Sequence, residues 1–172
     1  MAIFHNTSEI QTPTVQIVEI SGTTEATVTT ENEGKQHALD CRYLRMARIW
    51  AENSYCRRRQ VGAIIVKGDM IISDGFNGTP SGFENVCEDE YGVTRPYVLH
   101  AEANAITKVA RSNNSSDGAT LYVTASPCVE CAKLIIQSGI RRVVFNELYR
   151  ITDGVDLLTR AGVKVDHIEN LS

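Results

Sequence analysis

Two short segments contain residues whose types and spacing could hold a catalytic metal. The first has a histidine, His100, followed two residues later by Glu102. The second has Cys128 and Cys131 directly after Pro127. One imidazole and two thiolates form a three-ligand zinc set that leaves the fourth position open to water, and zinc lowers the pKa of such a water to about 7. Glu102 is not needed as a ligand, so it is available to transfer protons.

A closed, structural zinc site is the alternative interpretation of these residues. It would need a fourth protein ligand, such as one of the other cysteines, Cys41, Cys56 or Cys87, all of which are distant in sequence. The catalytic interpretation is favoured because both motifs occur together and each stands at the start of a predicted helix.

The composition is that of a soluble globular protein of one domain. The chain has 172 residues, of which 42% are hydrophobic and 22% charged, and its net charge is −4. This charge disfavours long nucleic acid as a partner, although a small phosphate ligand needs only a few local cations. No secretory or membrane-spanning segment is predicted, so we expect a cytoplasmic location. In a reducing compartment, cysteine pairs are more typical of metal binding than of disulfides.

The first 36 residues differ from the remainder of the chain. They are rich in threonine and glutamate, which predicts a flexible N-terminal arm over residues 1–36, although the alternating pattern of 14–20 could form a strand. Residues 37–172 are predicted to form the functional domain.

Apolar periodicity and turn residues predict an α/β fold for that domain. The predicted helices are 39–50, 100–111, 127–139 and 153–161, and the predicted strands are 61–66, 70–73, 118–124, 141–145 and 163–168. The first two strands form a hairpin, and a long loop covers 74–98. Alternation of strands and helices after residue 100 indicates a largely parallel sheet with helices on both faces.

Both metal-binding motifs are predicted to lie at helix starts. Ser126 suits the N-cap position and Pro127 the first helical position, so Cys128 and Cys131 fall on one face of the first turn. Unpaired N–H groups at a helix N-terminus favour the thiolate form that binds metal. His100 starts the preceding helix, so two adjacent helix starts could supply all three ligands.

From about residue 39 to 168 the chain resembles the zinc-dependent cytidine and deoxycytidylate deaminases, and most of all their deoxycytidylate branch. Beyond the metal motifs, the similarity lies in segments 56–63, 75–82 and 131–140. The resemblance implies a three-layer α/β/α sandwich around a five-stranded mixed sheet. It implies hydrolytic deamination of dCMP to dUMP and ammonia, a step that feeds thymidylate synthesis.

The resemblance also implies roles for individual residues. Zinc would be held by His100, Cys128 and Cys131, with Glu102 as the catalytic proton carrier. The residues implied in substrate binding are Asn77 at the sugar, Arg58, Tyr149, Ala101, Ser126 and Pro127. A regulatory triphosphate with Mg²⁺, dCTP as activator or dTTP as inhibitor, would bind at Gly75, Phe76, Asn77 and Gly78, in a homo-oligomer such as a hexamer.

Two features depart from the family pattern. Phe76 stands where the family usually has tyrosine, which removes a hydroxyl from the implied effector loop. Some family members hold a second, structural zinc, of which Cys56 and Cys87 would be remnants, but the segment between Cys87 and His100 contains no histidine.

Other interpretations of these residues and of the whole chain stay open at this point. The run Arg57–Arg59 could be a solvated charge cluster, Asn77 a turn residue, and Tyr149 a packing residue. The chain could deaminate tRNA adenosine or a riboflavin precursor, or it could bind nucleotides without catalysis. The acidic net charge disfavours tRNA, and a binding module would have no need of Glu102.

Overall fold

Four helices and five strands alternate within the part of the chain that the computed structural model describes, residues 24–171 for the backbone and 32–171 for the side chains. None of these helices is long and apolar enough to cross a bilayer. In chain order the elements are α1 (Thr24–Ala51), β1 (Gly62–Lys67), β2 (Met70–Phe76), α2 (Ala101–Ala110), β3 (Thr120–Ala125), α3 (Val129–Gln137), β4 (Arg142–Glu147), α4 (Asp153–Arg160) and β5 (Lys164–His167).

The chain divides into two units, residues 1–34 and 35–172. Of the first unit the structure describes only 24–34, which form the beginning of α1, so the predicted arm lies largely outside the described residues. The strand considered for 14–20 lies outside them as well. The remaining description concerns the second unit.

The sheet is five-stranded and mixed, as the resemblance implied. Its strand order is β2-β1-β3-β4-β5. The β1–β2 hairpin is antiparallel, β1 is also antiparallel to β3, and β3, β4 and β5 run parallel. The parallel half therefore follows the strand–helix alternation seen in the sequence.

Alternate residues of the strands face two separate hydrophobic cores. Ile65 and Val123 belong to the core formed with α2, α3 and α4, whereas Ile64 and Tyr122 belong to the core formed with α1. Successive side chains of a strand point to opposite faces, so this division places α1 on one face and the other helices on the other. The predicted three-layer α/β/α sandwich is confirmed.

The turn after β3 differs from the prediction. Ser126 is not an N-cap: its N–H donates to the carbonyl of Glu147 at 2.9 Å, which continues the pairing of β3 with β4. Its Oγ accepts the N–H of Tyr149 at 2.8 Å. The helix begins at Val129 with Cys128 as its N-cap, because strand pairing outweighs the local capping preference of serine.

Two glycines allow close packing next to the metal motifs. A Cβ at Gly75 would lie within 3 Å of the main chain of Ala101 and Ala105, so only glycine lets α2 lie directly on β2. A Cβ at Gly154 would meet the main chain of Pro127 and Cys128. Both helix starts that present the metal motifs are therefore fixed by backbone contact.

A buried ion pair joins α1 to the sheet. The carboxylate of Asp40, which is 2% exposed, accepts hydrogen bonds from Arg142 Nη1 and Nη2 at 2.8 and 2.7 Å and from Tyr122 Oη at 2.7 Å. Burial opposes ionisation, but the bonds from Arg142, Tyr122 and Gln36 outweigh it and hold the pKa of Asp40 below its ordinary value.

Replacing Asp40 by asparagine should lower the free energy of unfolding by roughly 3 kcal/mol, because it removes the buried carboxylate that accepts from Arg142 Nη1 and Nη2 and leaves Arg142 paired with the more exposed Asp166. The pKa of Asp40 is lower in the folded than in the unfolded protein. Its contribution to the free energy of unfolding is therefore complete above the unfolded-state pKa of about 4, and it is lost as the pH falls through the pKa of the folded state. Urea unfolding at a series of pH values measures both effects. The exposed Glu52→Gln change is the control, and equal stability of the two variants would contradict the prediction.

Candidate active site

The predicted metal ligands meet where the N-terminus of α2 approaches that of α3, beyond the carboxyl end of β3. His100 Nδ1 lies 3.5 Å from Cys128 Sγ and 3.4 Å from Cys131 Sγ. One potential ligand atom of each of the three residues lies within 4.8 Å of the other two. Among the described residues, no second group of three or more such side chains lies this close together.

This geometry fits a tetrahedral zinc ion. With zinc–sulfur bonds of about 2.3 Å and zinc–nitrogen bonds of about 2.0–2.1 Å, an ideal tetrahedron separates nitrogen from sulfur by about 3.6 Å. The two observed separations, 3.4 and 3.5 Å, agree with that value. The donor set of one imidazole and two thiols is also one that zinc accepts.

The helix starts leave the ligand side chains free. His100 is the N-cap of α2 and Cys128 the N-cap of α3, yet neither side chain forms a capping hydrogen bond. Cys131 lies in the first turn of α3 and is buried. Because these side chains do not cap the helices, they can face a metal ion. The N-terminus of α3 then stabilises the negative charge of the cysteine thiolates.

The two thiols are strongly coupled. Hydrogen bonds from Cys131 and His100 to the Cys128 sulfur lower the pKa of Cys128 to about 3. The hydrogen bond with Cys128 and the burial of the side chain both raise the pKa of the Cys131 thiol. The hydrogen bond with Cys128 raises the pKa of His100. One thiolate therefore forms readily, and a divalent cation would balance the charge of the second.

Glu102 lies beside this cluster in the first turn of α2. It is 4% exposed and lines the same cavity as His100 and Cys128. Burial raises the pKa of its carboxyl group above the ordinary value. A carboxyl group at this position, beside the metal-ligand cluster and away from bulk water, suits a proton carrier.

A cavity of about 420 Å³ opens from the cluster. Five of the six residues predicted to bind substrate line this cavity. The sixth, Pro127, is fully buried and does not line the cavity. The lining residues are Cys56, Arg58, Arg59, Val61, Asn77, Glu88, Thr94, Val98, His100, Ala101, Glu102, Ala125, Ser126, Cys128 and Tyr149.

Two arginines give the cavity a cationic wall. Arg59 Nη2 donates to Glu147 at 2.6 Å, and its guanidinium lies 5.6 Å from the ring centre of Tyr149. Arg58 Nη1 donates to Thr94 at 3.3 Å. Arg58 and Tyr149 thus lie at the same cavity as the metal cluster, and Arg59 joins them.

Asn77 holds the wall together. Its Oδ1 accepts the N–H of Val61 at 2.8 Å, and its Nδ2 donates to the carbonyl of Arg59 at 2.8 Å. The asparagine therefore fixes the segment that carries the arginines. Because it also lines the cavity, contact with a ligand stays a prediction.

The other residues of the expected effector loop do not line the cavity. Gly75 packs against α2, and the N–H groups of Asn77 and Gly78 donate to the carbonyls of Val61 and Leu99 at 3.1 and 3.0 Å. Phe76 lies 5.8 Å from Lys108 Nζ, measured to the ring centre. A triphosphate at this loop would have to use donors other than these two N–H groups.

Cys56 and Cys87 form a disulfide bond, with their Cα atoms 5.1 Å apart. This differs from the expectation that the cysteines are unpaired thiols available to a metal. The other three described cysteines are free, as expected for Cys128 and Cys131. The bond links Cys56, which directly precedes Arg57–Arg59 (the arginine segment), to the loop that carries Glu88.

Sequence reasoning missed several lining residues, above all Glu88. It lies in the loop 74–98, where no local pattern distinguishes it from the adjacent acidic residues Asp89 and Glu90. Thr94 and Val98 belong to the same loop. The one available signal was the position of Glu88 directly after Cys87.

Fold and site together define an α/β protein in which one histidine and two cysteines fit a zinc ion, with a buried carboxyl group beside them. A family model of the cytidine and deoxycytidylate deaminase zinc-binding region matches residues 37–147. The chain therefore belongs to the cytidine and deoxycytidylate deaminase family.

Individual relatives agree with this assignment. Deoxycytidylate deaminase of Enterobacteria phage T4 is 34% identical over 168 residues, covering 73% of this chain and 87% of that protein. ComE operon protein 2 of Bacillus subtilis (strain 168) is 34% identical over 131 residues, covering 74% and 69%. The crystal structure of dCMP deaminase from cyanophage S-TIM5 in complex with dCMP and dUMP matches with a TM-score of 0.72 and 49% identity, covering 73% and 93%.

Proposed function

We propose that the protein converts dCMP and water to dUMP and ammonia. The observation that supports this most strongly is the single cavity that joins His100, Cys128 and Glu102 to Arg58 and Arg59. The relatives named deoxycytidylate deaminase and the cyanophage structure with dCMP and dUMP support the same substrate. A binding module would have no need of a buried carboxylate beside the metal ligands.

His100, Cys128 and Cys131 would hold the zinc ion. When bound, zinc acts as a Lewis acid that makes water nucleophilic at neutral pH. Glu102 takes one proton from the attacking water and delivers it to N3 of the cytosine ring, where it stays in dUMP. It then takes the second proton of that water from the new hydroxyl at C4 and delivers it to the departing amine, which leaves as ammonia. Burial keeps the Glu102 carboxyl group away from bulk water, so its protons pass to the substrate.

The opposite wall would bind the 5′-phosphate. Arg58, Arg59 and Tyr149 offer two guanidinium groups and a phenol, and an arginine fork matches the geometry of a phosphate. Arg59 would exchange its contact with the exposed Glu147 for the phosphate. This proposal makes the substrate a nucleotide rather than a nucleoside.

The zinc-loaded protein should therefore turn over dCMP at least about tenfold more efficiently than deoxycytidine, since hydrogen bonds to a charged group contribute about 1.5–3 kcal/mol. The change in base absorbance on incubation with dCMP, CMP, deoxycytidine and dAMP in parallel measures kcat/KM for each. Arg58→Gln should lower the value for dCMP and leave that for deoxycytidine unchanged. Its neighbour Arg57, which does not line the cavity, is the matched control as Arg57→Gln. Equal efficiency with dCMP and deoxycytidine would refute phosphate recognition.

Regulation and assembly are further parts of the proposal and are supported by the family resemblance. We propose a homo-oligomer in the cytoplasm, with dCTP and Mg²⁺ as activator and dTTP as inhibitor. The exposed rings of Phe83 and Tyr97 lie together with their centres 5.4 Å apart, and such an exposed apolar pair supports assembly. Repeating the dCMP rate curve with each triphosphate tests the regulation, and identical hyperbolic curves would contradict it.

A further inference from the structure

Glu88 is a nearly buried carboxylate that the mechanism above does not use. It is 9% exposed and lines the cavity. Within residues 32–171, no lysine, arginine or histidine forms an ion pair with it. Buried carboxylates normally have such a partner or a full set of hydrogen bonds, so the surroundings of Glu88 need an explanation.

The two carboxylate oxygens of Glu88 have different surroundings. Oε1 accepts the main-chain N–H groups of Arg57 and Arg58 at 3.0 and 3.2 Å. Oε2 has no hydrogen-bond partner in the described part of the chain. No fully buried side-chain polar atom of those residues lacks a partner, so Oε2 must be accessible to solvent. Because Glu88 lines the cavity, Oε2 is an open acceptor for a ligand there.

The backbone of Glu88 is held in place from several sides. Glu88 pairs with Thr94 in an antiparallel bridge, and its carbonyl accepts Nε of Arg95 at 3.4 Å. Its neighbour Cys87 is bonded to Cys56, which precedes the arginine segment. A fixed acceptor is suited to recognition because little conformational entropy is lost when a ligand binds.

The position of Glu88 indicates which ligand group it meets. It contacts the main chain of Arg58, at the wall proposed for the 5′-phosphate, whereas the base is assigned to Glu102 and the metal ligands. The sugar must lie between the phosphate and the base. A 2′-deoxynucleoside 5′-monophosphate has one free hydroxyl on its sugar, the 3′-hydroxyl, and a carboxylate can only accept hydrogen bonds.

We propose that Oε2 of Glu88 accepts a hydrogen bond from the 3′-hydroxyl of the bound deoxynucleotide and so selects nucleotides with a free 3′-hydroxyl. The proposal rests on the proposed function, which supplies the deoxynucleotide and its orientation. Glu88 would then be a specificity-determining residue that touches the substrate away from the reacting atoms.

Binding of the product avoids any dependence on turnover. Calorimetry with dUMP and with 2′,3′-dideoxyuridine 5′-monophosphate gives two dissociation constants whose ratio reports the 3′-hydroxyl contact. The wild-type protein should prefer dUMP by about ten- to a hundredfold, the range for a hydrogen bond to a charged group. In Glu88→Gln the amide oxygen still accepts the two main-chain N–H groups, but the NH₂ group replaces the open acceptor. The preference should then fall to within about threefold.

Glu90→Gln is the matched control, since Glu90 is exposed, lies in the same loop and does not line the cavity. It should keep the wild-type preference. If Glu88→Gln weakens both nucleotides equally, Glu88 only supports the arginine segment and the proposal is wrong. It is also wrong if the wild-type protein binds the two nucleotides equally. Turnover of dCMP by the Glu90→Gln variant, measured separately, shows whether the proposed function itself holds.

Discussion

Replacing Glu102 by glutamine should lower kcat for dCMP by about a thousandfold while the protein keeps its zinc and its fold. Positioned proton transfer contributes roughly 10²–10⁴-fold to such reactions. An amide preserves the size of the side chain and can hydrogen bond, but it cannot carry a proton between the water, N3 and the leaving amine. Steady-state rates, together with zinc content per chain, measure the effect.

Glu130 provides the matched control for this substitution. It lies in the first turn of α3, close in sequence to both cysteines, but its side chain is 78% exposed and pairs with Lys133. Glu130→Gln should retain wild-type turnover. If the zinc-loaded Glu102→Gln protein turns over dCMP at a near-normal rate, the proton carrier is a different group.

Replacing Cys128 by alanine should remove the zinc and with it the deaminase activity. The three ligand atoms lie within 4.8 Å of one another, and no further metal-ligating cluster is found in residues 32–171, so loss of one thiolate leaves only two ligands. Zinc measured by mass spectrometry should fall from about one ion per chain to near zero, and dCMP turnover should become undetectable.

Cys41 tests whether this loss is specific to the cluster. It is a buried free cysteine on α1, in the core on the opposite face of the sheet. Cys41→Ala should keep a full complement of zinc, even if packing loss lowers the stability of the variant. Full zinc retention by Cys128→Ala would contradict the assigned ligand set.

The metal motifs were predictable because their information is local. The spacing of Cys128 and Cys131 and the position of His100 before an amphipathic helix already indicate ligands at helix starts. The order of strands and helices similarly predicted the parallel half of the sheet. The boundary at Ser126 could not be read locally, because its N–H pairs with Glu147 on another strand.

The contribution of the long loop was not predictable for a related reason. Glu88 reaches the cavity because a disulfide joins Cys87 to Cys56 and because Glu88 pairs with Thr94. These are contacts between segments that are distant in sequence, and no periodicity reports them. Asn77 shows the same limit, since its clamp on Val61 and Arg59 appears only when β2 and the arginine segment are brought together.

The central claim, hydrolytic deamination of dCMP, is tested most directly in water enriched in ¹⁸O. The zinc-loaded protein should convert dCMP to dUMP with one ¹⁸O atom on the base and release one ammonia per dUMP, as measured by mass spectrometry and an ammonia assay. The Glu102→Gln protein should form almost none. Unchanged dCMP after incubation with the zinc-loaded wild-type protein, or dUMP without solvent oxygen, would contradict the account.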